Sequence, residues 1–224
     1  MRSFTLTALC VLFFSCSPAV RLAPAPDAKI PSGIPLAALG SKSGVTILLE
    51  PEIWTGYPAI GEQVTAIRTT ITNQTEEPLR IRYDLFQLKI GRKKLFAQSP
   101  YQIHGMIRVP YRAAHFLQDT VFHYRDSRPD PCCEILERYL SRTDTINPDP
   151  GGMPDVWVQL PTSEMIDLVL PDGVLPAGQQ VSGYLYFEKI TSGPSDVTFT
   201  AQIAQSINGA LVTTVEIPLR LIQD

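Results

Sequence analysis

Apolar and polar residues alternate along much of this chain. Val45, Ile47 and Leu49 alternate with Thr46, Leu48 and Glu50, and this period of two predicts an opening β-strand. Between Glu62 and Asn73, Ile67, Thr69 and Ile71 share one face while Ala66, Arg68, Thr70 and Thr72 share the other, as in a half-buried strand rich in β-branched side chains. Asn73 to Pro78 is a polar turn. Leu79, Ile81, Tyr83 and Leu85 then point inward, but the apolar set moves to Phe86, Leu88 and Ile90, and the change of phase predicts a bulge near Leu85 and Phe86. Gly91 to Lys94 turns the chain into a return strand at Leu95 to Gln98.

The C-terminal stretch repeats the pattern. Val181, Gly183, Leu185 and Phe187 alternate with Ser182, Tyr184, Tyr186 and Glu188, and Val197, Phe199, Ala201 and Ile203 form the next apolar face. Asn208-Gly209 is the strongest hairpin signal, because both central residues of a type I′ turn take positive φ. Leu211, Thr213, Val215, Ile217, Leu219 and Leu221 give the last strand its core face. About seven strands in two blocks predict a mainly β fold, an immunoglobulin-like β-sandwich over residues 45–224. Two Cys flanking a Trp are missing, so core packing and not an inter-sheet disulfide would hold it.

Between the blocks, residues 99–172 read as a long, partly helical insertion. Pro131 to Leu140 predicts a short helix with Asp130 as its cap, and a second helix is predicted from Thr162, as cap, to Leu170, where Pro171-Asp172-Gly173 stops it. Excursions of this length are often functional.

The N-terminus carries an address. Met1-Arg2 is followed by an apolar run from Phe4 to Phe14 and by small residues, the layout of a secretory signal; the run is too short for the roughly twenty residues of a membrane-spanning helix. Residues 16–44 hold Pro18, Pro24, Pro26, Pro31 and Pro35 and end in Gly40-Ser41-Lys42-Ser43-Gly44, which predicts an extended tether. That Gly-Ser-Lys-Ser-Gly string lacks the spacing of a phosphate loop.

Leu12-Phe13-Phe14-Ser15-Cys16 resembles the lipobox of bacterial lipoproteins, although Phe13 and Phe14 stand where the pattern has Leu and a small residue. The resemblance implies a signal peptide over 1–15, lipidation of Cys16 and attachment to a membrane through that lipid. Ser17 after the Cys implies an outer-membrane address facing the periplasm. Ordinary cleavage after Ala19 is the alternative. Pro78 to Tyr83, Leu170 to Gly178 and Gly183 to Phe187 are similar to segments of uncharacterised bacterial outer-membrane lipoproteins with an immunoglobulin-like domain, a family with no activity to carry over.

Composition narrows the rest. With 44% hydrophobic residues the chain is not a disordered polypeptide, and a net charge of −3 gives no electrostatic footprint for nucleic acid. There is no Cys-x-x-Cys, His-Glu-x-x-His, Gly-x-Ser-x-Gly or dinucleotide glycine pattern, so no enzyme is expected and no cofactor is implied. His104, His115, His123, Cys132 and Cys133 all fall in the insertion. Three readings stand: structural residues, including a strained vicinal Cys132–Cys133 disulfide; thiolates activated at a helix N-terminus; or a soft-metal site joining a Cys to two His. Arg108, Arg112, Arg125 and Arg128 with Tyr101, Tyr111 and Tyr124 form either a polar rim or a surface for an anionic or glycan ligand. Scattered Asp residues from Asp126 to Asp155 lack the spacing of a calcium loop. The expected role is a non-catalytic binding or structural module of the cell envelope, with envelope proteins or glycans as partners; the alternative is a metal-handling or thiol-redox accessory.

Overall fold

The computed structural model describes residues 20–51, 54–118 and 155–223. They form a mainly β body of antiparallel sheets. One sheet holds β1 (Val20–Pro24), β5 (Leu79–Ile81), β6 (Phe86–Ile90), β7 (Lys93–Phe96), β10 (Gly173–Leu175), β12 (Asp196–Gln205) and β13 (Leu211–Gln223). The other, in the order β11-β4-β3-β2, holds β2 (Ala38–Lys42), β3 (Val45–Glu50), β4 (Val64–Asn73) and β11 (Gln180–Glu188). β8 (Gly105–Pro110) and β9 (Asp155–Leu160) form a separate two-stranded sheet. Short helices α1 (Pro58–Gln63), α2 (Tyr111–Gln118) and α3 (Ser163–Leu168), with 3-10 turns at Tyr83–Leu85 and Pro100–Gln102, complete the elements described.

The two large sheets share one apolar core. Ile47, Ile67, Ile71, Leu185 and Phe187 from one meet Phe86, Leu88, Phe199, Ala201 and Ile217 from the other. Phe86 and Phe199 stack with ring centroids 6.2 Å apart. These are the positions that the period of two assigns inward, apart from the ends of β13, where Leu211 is exposed and Leu221 half-buried.

The phase change after Ile81 is a looped-out 3-10 turn over Tyr83–Leu85 and not a simple bulge. β5 and β6 lie one after the other along the same edge of β12, and the turn between them lets each keep its apolar side on the core.

The N-terminal segment departs most from expectation. Residues 20–44 are not a tether. β1 pairs with the end of β13, from Val20 opposite Gln223 to Pro24 opposite Leu219, and β2 pairs with β3. Leu22, Ala23, Ala37 and Ala38 are buried. The prolines hide the pattern without preventing the strands: Pro24 closes an edge strand, where a missing N–H is tolerated, and Pro31 begins a turn.

The turns invert expectation too. Ser43 (φ 51°) and Gly44 (φ 75°) are the two positive-φ residues of a tight β2–β3 hairpin, in the string read as a linker. At Asn208-Gly209 only Gly209 has positive φ (69°), and a longer loop closes with the Gln205 N–H donating to the Ala210 carbonyl. The Asn208 side chain accepts from the Ala210 N–H, which favours this loop over a type I′ turn.

The region 99–172 also needs correction. Its described part is an antiparallel strand pair, β8 and β9, with short helices, and no long helical insertion is seen. α3 begins and is capped as read, the Met165 N–H donating to Thr162 Oγ1. The helix expected over 131–140 lies outside the described residues.

Asn73 fastens one end of the body. It is fully buried; its Nδ2 donates to the carbonyls of Glu77, Leu175 and Pro176, and its Oδ1 accepts from the Thr75 N–H and hydroxyl. Asn73→Ala strands buried carbonyls and is expected to cost about 3 kcal/mol, read as a lower urea midpoint with unchanged slope. A chain shortened to begin at Val45 loses β1 and β2 and is expected to show no cooperative thermal transition by circular dichroism; an unchanged transition would restore the tether reading.

Candidate functional site

From Tyr184 to Phe187, β11 is buried on both faces. Leu185 and Phe187 enter the inter-sheet core, while Tyr184 and Tyr186 pack into a second core on the outer side of the sheet. That second core is roofed by the β8–β9 hairpin through Ile107, Val109, Val158 and Leu160, and by Ile60 of α1, Leu117 of α2 and Met165 of α3.

Polar tips lock the roof in place. Trp54 stands edge-on to Tyr184 at 4.9 Å, and its indole N–H donates to the Tyr57 carbonyl at 3.0 Å. The Tyr184 hydroxyl accepts from the Thr55 N–H and bonds the Thr55 hydroxyl. The Tyr186 hydroxyl donates to the Met165 carbonyl at 3.1 Å. The Tyr57 N–H donates to Glu164, and the Ser163 hydroxyl donates to the Leu117 carbonyl. Burial, with Tyr184 and Glu164 adding to it, pushes the Tyr186 phenol far above its usual range, so this clamp is neutral.

The outward face of the hairpin is a different surface. The alternation that buries Val158 and Leu160 turns Trp157 out at 62% exposure, with Met106 at 54% on the neighbouring strand. Arg108 lies across from Trp157 in register and pairs with Asp155 at 3.1 Å. Beside this face opens a cavity of about 390 Å³ lined by Tyr101, Leu117, Gln118, Gln159, Leu160, Pro161 and Ile166. Tyr101 at its edge is 69% exposed. The arrangement offers stacking surface, amide hydrogen-bonding groups and an apolar floor, which is binding chemistry.

A second, smaller cleft of about 130 Å³ lies where β1 begins, lined in part by Val20, Trp54, Thr65, Lys189 and Leu221. The Lys189 ammonium donates to the Gly61 carbonyl; burial lowers its pKa, and nearby Glu62 opposes the shift. A third cavity, of about 350 Å³, lies between the β10 segment and the start of β11.

The residues singled out in the sequence are only partly gathered. His104 is exposed just before β8. His115 belongs to the backbone of α2. Cys16, His123, Cys132 and Cys133 lie outside the described residues, as do Tyr124, Arg125 and Arg128. Among the described residues no three of His, Cys, Asp or Glu come close enough to hold a metal ion. Tyr101 lines the large cavity and Arg108 lies on the outward face of β8, whereas Trp157, Met106 and Gln159 were missed. Their signal was Val156, Val158 and Leu160 alternating with Trp157 and Gln159, in a stretch read only as excursion. No protein family, curated protein or solved structure matches this chain.

Two outcomes separate clamp from surface. Tyr186→Ala is expected to cost about 3–5 kcal/mol in urea unfolding, as for other large buried aromatics. Trp157→Ala is expected to stay within about 0.5 kcal/mol of the parent, because its ring is exposed. The phenol also sets a pH dependence. Its folded pKa is raised above the ordinary tyrosine value of 10.0, so its contribution is complete below that value and is lost as pH rises past it, where the unfolded chain releases the proton first. Tyr186→Phe is expected to flatten the fall in stability above pH 10; Tyr83, raised in the same direction, leaves a residual slope.

Proposed function

We propose that this chain is a cell-envelope lipoprotein, held to its membrane by acyl chains on Cys16, whose immunoglobulin-like two-sheet body works as a binding module and not as a catalyst. The observation that carries the binding role is the outward face of the β8–β9 hairpin, with Trp157 and Met106 exposed beside the cavity edged by Tyr101. Trp157 and Met106 share the outward face of a strand pair packed on a second core, and such a base would hold them in place for a partner. Aromatic faces beside the amides of Gln118 and Gln159 suit a saccharide of the envelope. The lipid anchor rests on the apolar run ending at Cys16.

Intact mass of the membrane-extracted protein tests the anchor: a mature chain beginning at Cys16 and carrying acyl chains is expected, and an unmodified N-terminus at Val20 would contradict it. Binding is read in a Trp54→Phe variant, which leaves Trp157 as the reporter. Solubilised cell-wall glycan is expected to shift its emission, with the shift weakened by Gln159→Ala; an unchanged spectrum would remove the saccharide from this face.

A further inference from the structure

Residues 20–24, expected from the sequence to be tether, are part of the body as β1, and this limits how far the body can lie from Cys16. Only Ser17, Pro18 and Ala19 separate Cys16 from Val20, where β1 is already paired with Gln223 of β13. Fully extended, the four steps from Cys16 to Val20 span about 14 Å. A lipid on Cys16 therefore holds one particular end of the body within that distance of the bilayer surface. At that end lies the small cleft formed by Val20, Leu22, Trp54, Lys189 and Leu221. The opposite end is fixed by the same strand, because β13 runs from Leu211 to Gln223, about 40 Å at the rise of an antiparallel strand. The β12–β13 loop with exposed Ile207 sits at that far end.

We infer that the β1 end of the body, with the Trp54–Lys189 cleft, lies against the phospholipid headgroups of the membrane that holds the Cys16 lipid, and that the Ile207 end points away from it. The inference rests on the proposed anchor. Trp54 is half-buried against Tyr184 and Tyr186 and the Lys189 ammonium is held by the Gly61 carbonyl, so the cleft is a fixed feature of that end, and an indole suits the headgroup level. A tether as long as residues 16–44 would set no such limit, whereas three intervening residues keep Val20 within about 14 Å of Cys16.

Depth-dependent quenching tests it on the full lipidated protein reconstituted in phosphatidylethanolamine–phosphatidylglycerol vesicles carrying a nitroxide on the headgroup. The chain has two Trp, so Trp157→Phe leaves Trp54 as the only reporter. Intact mass is taken on the same sample. The expected result is an acylated protein that loses most of its Trp54 emission, and that regains it when a Gly-Ser linker of about 20 residues, with a mean span of about 25 Å, is inserted after Ser17. A second reporter, Ile207→Trp in a chain lacking both native Trp, is expected to remain unquenched. An acylated protein whose Trp54 is quenched no more than the Ile207 reporter overturns the orientation and leaves the anchor standing. A mature chain without acyl chains on Cys16 overturns both.

Discussion

Every layer of this protein meets at one strand. β11 carries Leu185 and Phe187 on one side and Tyr184 and Tyr186 on the other, and all four are buried. Burying each large side chain is worth roughly 1.5–3 kcal/mol, so four consecutive residues contribute to two cores at once. A strand at the end of its sheet would ordinarily leave a row of open backbone groups. Here the Tyr186 carbonyl accepts from the Gln98 N–H and the Tyr184 carbonyl from the Leu170 N–H, so the outer edge is stitched to the segments that follow β7 and α3. Tyrosine suits the outer face because its ring fills the second core while its hydroxyl reaches a carbonyl or hydroxyl of the roof.

This arrangement makes the β8–β9 hairpin part of the body. Its inner side chains are fixed by Tyr184 and Tyr186, and the same alternation forces Met106 and Trp157 outward beside the cavity. A two-stranded sheet alone would be poorly ordered, since an isolated strand pair is marginal in water. Here it is packed on β11 through the second core. The N-terminal strand joins β13 and so removes, from Val20 onward, the slack that the prolines suggested.

Much of the fold was legible because burial on one face leaves a period of two. β3, β4, β12 and the middle of β13 follow that rule, and Thr162 announced α3 through its capping chemistry. The failures have physical causes. β1 and β2 bury small side chains, Ala23 and Ala38 among them, and sit among prolines and glycines, so neither hydrophobic period nor propensity stands out. Tyr184 and Tyr186 alternate with apolar residues and read as an outward polar face, because sequence shows amphipathic rings but not the layer that covers them. Asn208-Gly209 has the composition of a type I′ turn, yet the Asn208 side chain caps a longer loop. Of the site, Tyr101 and Arg108 were named as possible ligand contacts, while Trp157 and Met106 acquire meaning only once β8 and β9 are paired.

Native-state hydrogen exchange tests the two-core strand most directly. The account predicts that amides of β11 and of Ile107 and Val158 in the hairpin exchange with one common free energy, that of global unfolding, because the roof cannot lift without exposing Tyr184 and Tyr186. Hairpin amides exchanging at a much lower free energy while β11 stays protected would show a loosely appended flap, and would contradict it.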